Sequence, residues 1–443
     1  MSKVTDARIK HELDLISSDV LNGLNYKRNE YARSILNYPA MMVPSVQEPI
    51  IKCLSETFTG EINLLDPFMG ASNTLVTGMK YGINIFGQDI NPLSLLISQV
   101  KTTYYTIEDL KRAEESLKNK IECDFSTVIE VNFNNIDKWF EEKVQIELSK
   151  LYRAIICESS LSIRKFCWVT LAEVIRLTSN DRTSTFKLHR RSIEEIQNRN
   201  ISPIDVFFSI LKRSIQDVND YCSVLSENKL IENGQYKKQA QVVWGDTSKE
   251  INFDESFDLL VTSPPYGDNQ TTVTYGQFSF LPLQWIPIAD IDRSINFDYL
   301  KTTQEIDAKS LGGRSSHSYK EAEEKLFDSS ETLKQLFDDF NEAERKRAKK
   351  VVNFFYDLDQ SIDNIQLKLR NGSYMVWTIG NRSVNKRTVR NDLILTELLK
   401  LKDAELLTDL DRDILSKRMP GRNNFSDTMS KEKILIFKTQ TSK

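Results

Sequence analysis

Two consecutive prolines, Pro264 and Pro265, constrain this chain more than any other feature. They follow Phe257-Asp258-Leu259-Leu260-Val261-Thr262-Ser263 directly and precede Tyr266 and Gly267. Leu259, Leu260 and Val261 form a short, uninterrupted apolar run, the pattern of a strand covered on both faces. Proline has no amide hydrogen to give a ladder, so strand pairing must stop there. Open α/β sheets place their ligands at such carboxyl ends. Each proline fixes its own φ and restricts the residue before it. The Ser263 hydroxyl and the Pro264 carbonyl are therefore pre-set hydrogen-bonding groups beside the flat Tyr266 ring. That trio suits an amino-bearing planar ring, which has two N–H groups to donate and a face to stack. A rigid loop that merely ends a strand has the same sequence, so the weight falls on what distant segments add.

At 443 residues, 40% apolar and 28% charged, the chain exceeds one typical domain and has the balance of a globular protein. A large core with a sizeable insertion is expected. The net charge of -4 and pI near 5.7 carry no overall nucleic-acid signature, so polyanion binding must come from local clusters. No run nears the roughly eighteen apolar residues needed to span a bilayer, and residues 1–14 are polar. A cytoplasmic protein without membrane contact is expected. Cys53, Cys123, Cys157, Cys167 and Cys222 are scattered and only three histidines occur. Neither a disulfide framework nor a metal site is expected.

A first strand over residues 62–65 runs into Asp66-Pro67-Phe68-Met69-Gly70-Ala71-Ser72-Asn73-Thr74, with an amphipathic helix expected through Tyr81. A tight turn of small residues between strand and helix lets a ligand approach the backbone and the helix N-terminus. The second strand, residues 83–87, ends at Asp89, 23 residues beyond Asp66. Nucleotide-binding folds hold ribose hydroxyls with an acidic residue at that offset. Asn91 and Pro92 fit the cap and first turn of the next helix. Upstream, Tyr38-Pro39-Ala40 precedes Ser45 and Glu48, whose spacing predicts a capping box and a helix through about Phe58.

Residues 106–240 break the rhythm and read as a charged helical insertion. Within it Arg176, Arg182, Lys187, Arg190 and Arg191 interleave with short polar residues. Such a stretch fits a solvated basic loop or phosphate contact equally. The α/β pattern resumes at 241–244, a third strand ending in Gly245-Asp246. Beyond Gly267 a long polar insertion is expected over about 268–340, then a helix over 340–369 carrying Arg345, Lys346, Arg347, Lys349 and Lys350. A buried strand at 374–381, the basic residues Lys417, Arg418 and Arg422, and a last strand at 434–437 complete the chain.

Strand one ends in Asp-Pro-Phe-Met-Gly, strand two in Asp89, strand three in Gly245-Asp246 and strand four in Ser-Pro-Pro-Tyr. In this order the chain resembles the amino-group DNA methyltransferases dependent on S-adenosylmethionine, over residues 37–105 and 241–443. The resemblance implies an α/β fold with a Rossmann-like class I methyltransferase core at 31–105 and 241–443, carrying mainly helical insertions. The insertion at 106–240 becomes the candidate DNA-contacting, target-recognition region. The resemblance also implies a cofactor pocket walled by Tyr38 and Pro39. Asp66, Phe68 and Gly70, with Pro67 among them, would meet the methionine portion, Asp89 the ribose, and Asp246 would lie by the adenine. Ser263, Pro264, Pro265 and Tyr266 match the catalytic loop. One departure is visible: Ser72 stands where a second glycine is usual.

Serine at the first position of that loop is typical of enzymes that methylate the 4-amino group of cytosine, whereas aspartate more often accompanies adenine. The resemblance thus implies cytosine-N4 methylation of double-stranded DNA, as the modification half of a restriction system with a companion restriction endonuclease. Neighbouring readings are the adenine 6-amino group and, in RNA, the guanine 2-amino group. A non-catalytic DNA-binding module with a relict cofactor fold is the reading from another class. An aromatic amine is a weak nucleophile because its lone pair is delocalised. Accepting its N–H hydrogens at Ser263 and the Pro264 carbonyl would aim that pair at a sulfonium methyl, with no metal and no covalent intermediate. None of the five cysteines follows a proline, which disfavours ring-carbon cytosine methylation. The target base must be flipped out and stacked, with Tyr266 the expected platform.

Overall fold

The computed structural model describes residues 3–24, 27–32, 35–314, 317–414 and 430–440, and in it the run before the prolines is a central strand buried on both faces. In chain order the strands of the main sheet are β1 (Asn63–Asp66), β2 (Asn84–Asp89), β3 (Ala240–Trp244), β4 (Phe257–Thr262), β5 (Leu369–Ile379), β6 (Ala404–Asp413) and β7 (Lys431–Thr439). They form one sheet in the order 3-2-1-4-5-7-6. Neighbours are parallel from β3 through β5, and β7 runs antiparallel between β5 and β6. This is the Rossmann-like methyltransferase arrangement expected from the sequence. Its strand order reverses between β1 and β4, so the crevice that binds ligands in open α/β sheets belongs at the ends of those two strands.

Alternation along the strands fills two hydrophobic cores. Leu64, Leu259, Val261, Tyr374 and Val376 enter one, while Leu65, Leu260, Met375 and Trp377 enter the other. The first core is covered by α1 (Pro44–Ser55), α2 (Asn73–Lys80) and α3 (Pro92–Lys101), and then by the insertion helices α4 (Ile107–Glu122), α5 (Glu142–Ile156), α6 (Leu161–Thr178) and α7 (Pro203–Glu227). Trp168 and Tyr221 of the insertion are buried in the same cluster as Leu64, and the Tyr221 hydroxyl donates to the Val76 carbonyl of α2 at 3.3 Å. No separate core sets the 106–240 segment apart.

Three sequence expectations change. The described residues within 268–340 are packed and largely helical rather than a polar stretch: Phe278, Leu281 and Trp285, on and just after α8 (Tyr275–Gln284), enter the first core, and the helices Tyr319–Ser329 and Glu331–Asp338 bury Leu326, Leu333 and Phe337 in the second. Their apolar residues recur at helical spacing, which an average over polar neighbours conceals. The Ser45–Glu48 capping box does not form, because Pro44 takes the first helical position behind Val43 and needs no amide partner there. Glu48 instead accepts from Tyr81 at 3.1 Å and pairs with Lys80 at 3.0 Å. Finally, α2 is amphipathic in sequence only, since residues 73–79 are all buried. Lys417, Arg418 and Arg422 lie outside the described residues.

The second core is closed by α9 (Glu342–Gln366) and α10 (Asn391–Lys400). The turn that brings the chain onto α9 depends on Gly312. Its φ is +71°, and a Cβ there would lie 2.9 Å from the Phe354 Cα. Gly312→Ala therefore meets both a left-handed backbone and a close approach, and is expected to cost about 2 kcal/mol or more. A lowered urea midpoint checks this; an unchanged one contradicts the packing described.

Candidate active site

The carboxyl ends of β1, β2, β3 and β4 open into one cavity of about 880 Å³, counting its solvent-open mouth. Its wall brings together Tyr38, Pro39, Pro67, Phe68, Gly70, Asp89, Asp246, Ser263 and Pro265, residues up to 227 positions apart in the chain (265 minus 38). The convergence follows from parallel strands, which all end on the same side of the sheet.

The turn after β1 is held by its neighbours. Gly70, at φ +47°, donates its amide to Asp89 Oδ2 at 2.9 Å, and Asn91 donates to Asp89 Oδ1 at 2.8 Å. Burial raises the Asp89 carboxyl above its ordinary value, and those two amides oppose the shift. Ser72 has φ +57°, a left-handed conformation in which glycine is at home. Its amide donates to the Met69 carbonyl at 2.7 Å and its hydroxyl bonds to Ser98. The departure from glycine is thus accommodated by a buried side-chain bond. On the far side, Thr247 donates to the Pro67 carbonyl at 2.7 Å, tying the end of β3 to the same turn. Asp246 Oδ1 accepts from the Ser248 amide and hydroxyl at 3.0 and 2.7 Å.

Asp66 lies beneath the cavity and is absent from its wall. It is fully buried; Thr262 donates to its Oδ1 at 2.7 Å, and the Phe68 amide reaches the same oxygen at 3.3 Å. Burial pushes its carboxyl up to about 7. Tyr38 is also buried. Its hydroxyl accepts from Asn91 at 2.8 Å, and its ring stacks on Tyr275 with centroids 5.7 Å apart.

In the loop after β4, Ser263 and Pro265 face the cavity, whereas Pro264 is buried and Tyr266 does not line it. The Tyr266 hydroxyl lies 3.2 Å from Ser263 Oγ and donates to Glu432 of β7 at 2.9 Å. Asn391 further pins the Tyr266 carbonyl at 2.9 Å.

The basic residues separate into two kinds. Arg176 is largely buried and paired with Glu173 through bonds of 3.0 and 2.8 Å, which satisfies its charge internally. Arg182, Lys187 and Arg190 are exposed on a loop fastened to α8: the Leu188 amide donates to Gln277 at 3.1 Å, and the Phe186 ring meets Phe278 edge-on. Arg191 donates to the Arg182 carbonyl at 3.3 Å within the same loop.

No protein-family model matches the sequence. Among curated proteins, the type II methyltransferase M.MvaI of Kocuria varians is 31% identical over 457 aligned positions, spanning 98% of each chain. The chain belongs to the type II methyltransferase family. A second member, M.MjaII of Methanocaldococcus jannaschii, is 25% identical over 251 positions, 55% of this chain and 44% of that one. The rRNA methyltransferase AviRa of Streptomyces viridochromogenes superposes over 93% of this chain and 94% of its own, but at a TM-score of 0.31 and 9% identity the likeness carries no argument.

Sequence reasoning missed several wall residues of this methyltransferase: Asn91, Thr247, Asn269, Tyr275 and Lys309 all line the cavity. Asn91 was legible as a helix cap, and its amide serves the site as well, bridging Tyr38 and Ser279 at 2.8 Å each. Lys309 and Tyr275 come from the stretch read as polar insertion and carry no local motif. Asp307, next to that wall, is pushed up to about 6 by burial, and its Oδ1 accepts from the Gly276 amide at 2.8 Å. Among the described residues no group of three or more His, Cys, Asp or Glu side chains could hold a metal ion, and no helix is long and apolar enough to cross a membrane.

The Asp66 carboxyl has a stability signature. Its unfolded value is near 4 and its folded value about 7, so the folded protein holds that proton more tightly. The resulting stabilisation is complete below pH ~4 and is lost as the pH rises toward about 7. Asp66→Asn cannot titrate, so its stability relative to wild type is expected to rise across that window. Urea unfolding of both proteins without ligand from pH 4 to 8 checks the sign, and parallel curves would refute it.

Proposed function

We propose that this enzyme transfers a methyl group from S-adenosylmethionine to the exocyclic 4-amino group of cytosine in double-stranded DNA, as the modification half of a restriction system. The supporting observation is that Ser263 and Pro265 share one cavity with Phe68, Gly70, Asp89 and Asp246. The cavity suits such a cofactor, since Met41, Met42, Pro67 and Phe68 offer apolar surface in a wall that also holds Asp89 and Asp246. Asp89 would take the ribose hydroxyls with lone pairs left over from its two backbone bonds. Asp246 has Oδ2 to offer the adenine amine, its Oδ1 being engaged by Ser248. Gly70, without a Cβ, leaves room beside Tyr38 for the methionine portion. When bound, S-adenosylmethionine supplies an electrophilic sulfonium methyl carbon.

The protein's own contribution is to hold and orient the amine. Ser263 Oγ accepts one of its hydrogens, which turns the nitrogen lone pair toward the donor and favours the tetrahedral geometry of the product. The base must leave the duplex to reach a cavity at the strand ends. Phosphate contacts fit the exposed Arg182, Lys187 and Arg190 of the loop fastened to α8. Lys346 and Arg347, exposed one turn before Lys350 on α9, fit the same role, since Lys350 bonds to Gln270 at 2.6 Å, close after the catalytic loop. A companion restriction endonuclease belongs to the same reading.

The Ser263→Ala variant is expected to bind S-adenosylmethionine by calorimetry as the wild type does and to lose roughly 10²–10³ in methyl transfer. Wild-type turnover would remove Ser263 from the reaction. Digesting methylated DNA to nucleosides and weighing the product decides the base: methylation of adenine, or label entering only RNA, would replace the cytosine assignment. Lys187→Glu with Arg190→Glu is expected to weaken duplex binding and flatten its salt dependence by about one unit of slope per lost phosphate contact. Unchanged affinity at low salt would place the duplex elsewhere.

A further inference from the structure

The hydrogen bonds behind Ser263 have a direction. Tyr266 donates its one proton to Glu432 Oε1 at 2.9 Å. Glu432 sits opposite Arg412 across the β6–β7 pair, and its Oε2 lies 3.1 Å from Arg412 Nη1. In that ion pair the Glu432 carboxylate can only accept. Burial, with the Glu432 charge beside it, raises the Tyr266 hydroxyl well above its ordinary value, so it stays a phenol with a proton to give. With that proton committed to Glu432, the Tyr266 oxygen can meet Ser263 Oγ, 3.2 Å away, only as an acceptor. The Ser263 proton is thereby drawn toward Tyr266, and the serine lone pairs remain for the cavity that Ser263 lines.

We propose that Glu432 is a positioning residue for methyl transfer: through Tyr266 it fixes Ser263 as a hydrogen-bond acceptor toward the substrate amine. The inference rests on the reading of Ser263 as the group that receives the amine hydrogens. A serine free to rotate would as readily offer its proton to the amine lone pair, which is the pair that must attack. The carboxylate at the far end of the chain removes that option and strengthens each bond before it by polarisation. The same geometry explains why Tyr266 is tied to β7 rather than lining the cavity.

Glu432→Gln tests this, because glutamine has nearly the same shape and can donate to the Tyr266 oxygen, letting the chain reverse. With the nucleic acid that accepts labelled methyl groups from the wild type, kcat is expected to fall roughly tenfold, the scale of a charge-assisted bond made neutral, with KM for S-adenosylmethionine unchanged. Tyr266→Phe keeps the ring and the Glu432–Arg412 pair while breaking the chain, and is expected to show the same loss in kcat alone. The double variant should be no slower than Tyr266→Phe, since both changes cut one path. Wild-type kcat in either single variant, or losses that multiply in the double, would overturn the proposal. If Glu432→Gln fails to fold, Tyr266→Phe decides alone. A wild type that labels RNA but not DNA would defeat the proposed substrate while these comparisons on RNA still judge Glu432; a wild type that labels neither would defeat both.

Discussion

A buried hydrogen bond at the strand ends ties the two halves of the site together. Thr262, the last residue of β4, donates to Asp66 Oδ1, the last of β1, at 2.7 Å. These neighbouring strands flank the point where sheet order reverses, and each leads directly into a loop that faces the cavity. Neither partner touches water, so the bond is worth the desolvation that would follow its loss, about 1–3 kcal/mol. Because Asp66 precedes Pro67 and Thr262 precedes Ser263, the bond sets the position of the turn after β1 against that of the loop after β4. Gly70 to Asp89 and Thr247 to Pro67 extend the same bracing to β2 and β3. The cavity is therefore built before any ligand arrives, which lowers the ordering cost of binding.

Long-range packing keeps this bracing rigid. The insertion helices and α8 close one face of the sheet, and α9 with α10 closes the other, both in continuous cores. Tyr38 stacks on Tyr275 of α8, so a pocket wall begun upstream of β1 is completed by a segment that follows β4. The basic loop around Lys187 is fastened to the same helix through Gln277 and Phe278. The basic loop and the cavity wall thus share one helix as support. Beyond the loop after β4, Asp268 pairs with Lys350 at 3.3 Å and Arg382 at 3.5 Å, which anchors the exit of that loop to α9 and to the hairpin of residues 382–389.

The sequence by itself determined the strand ends. Apolar runs that stop at Asp66, Asp89, Asp246 and Ser263 state locally where pairing must cease, and proline, glycine and capping asparagine act through their own backbone, so those signals survive without any knowledge of the fold. Tertiary structure decided what each of these groups touches. Nothing near Asp268 reveals that Lys350 and Arg382 pair with it, and nothing near Tyr266 announces Glu432, 166 residues away. Whether a charge is free or paired, and whether a ring lines a cavity or leaves it, depends on partners distant in sequence. Those partners are chosen by burial against the two faces of the sheet, and a linear pattern holds no record of that choice.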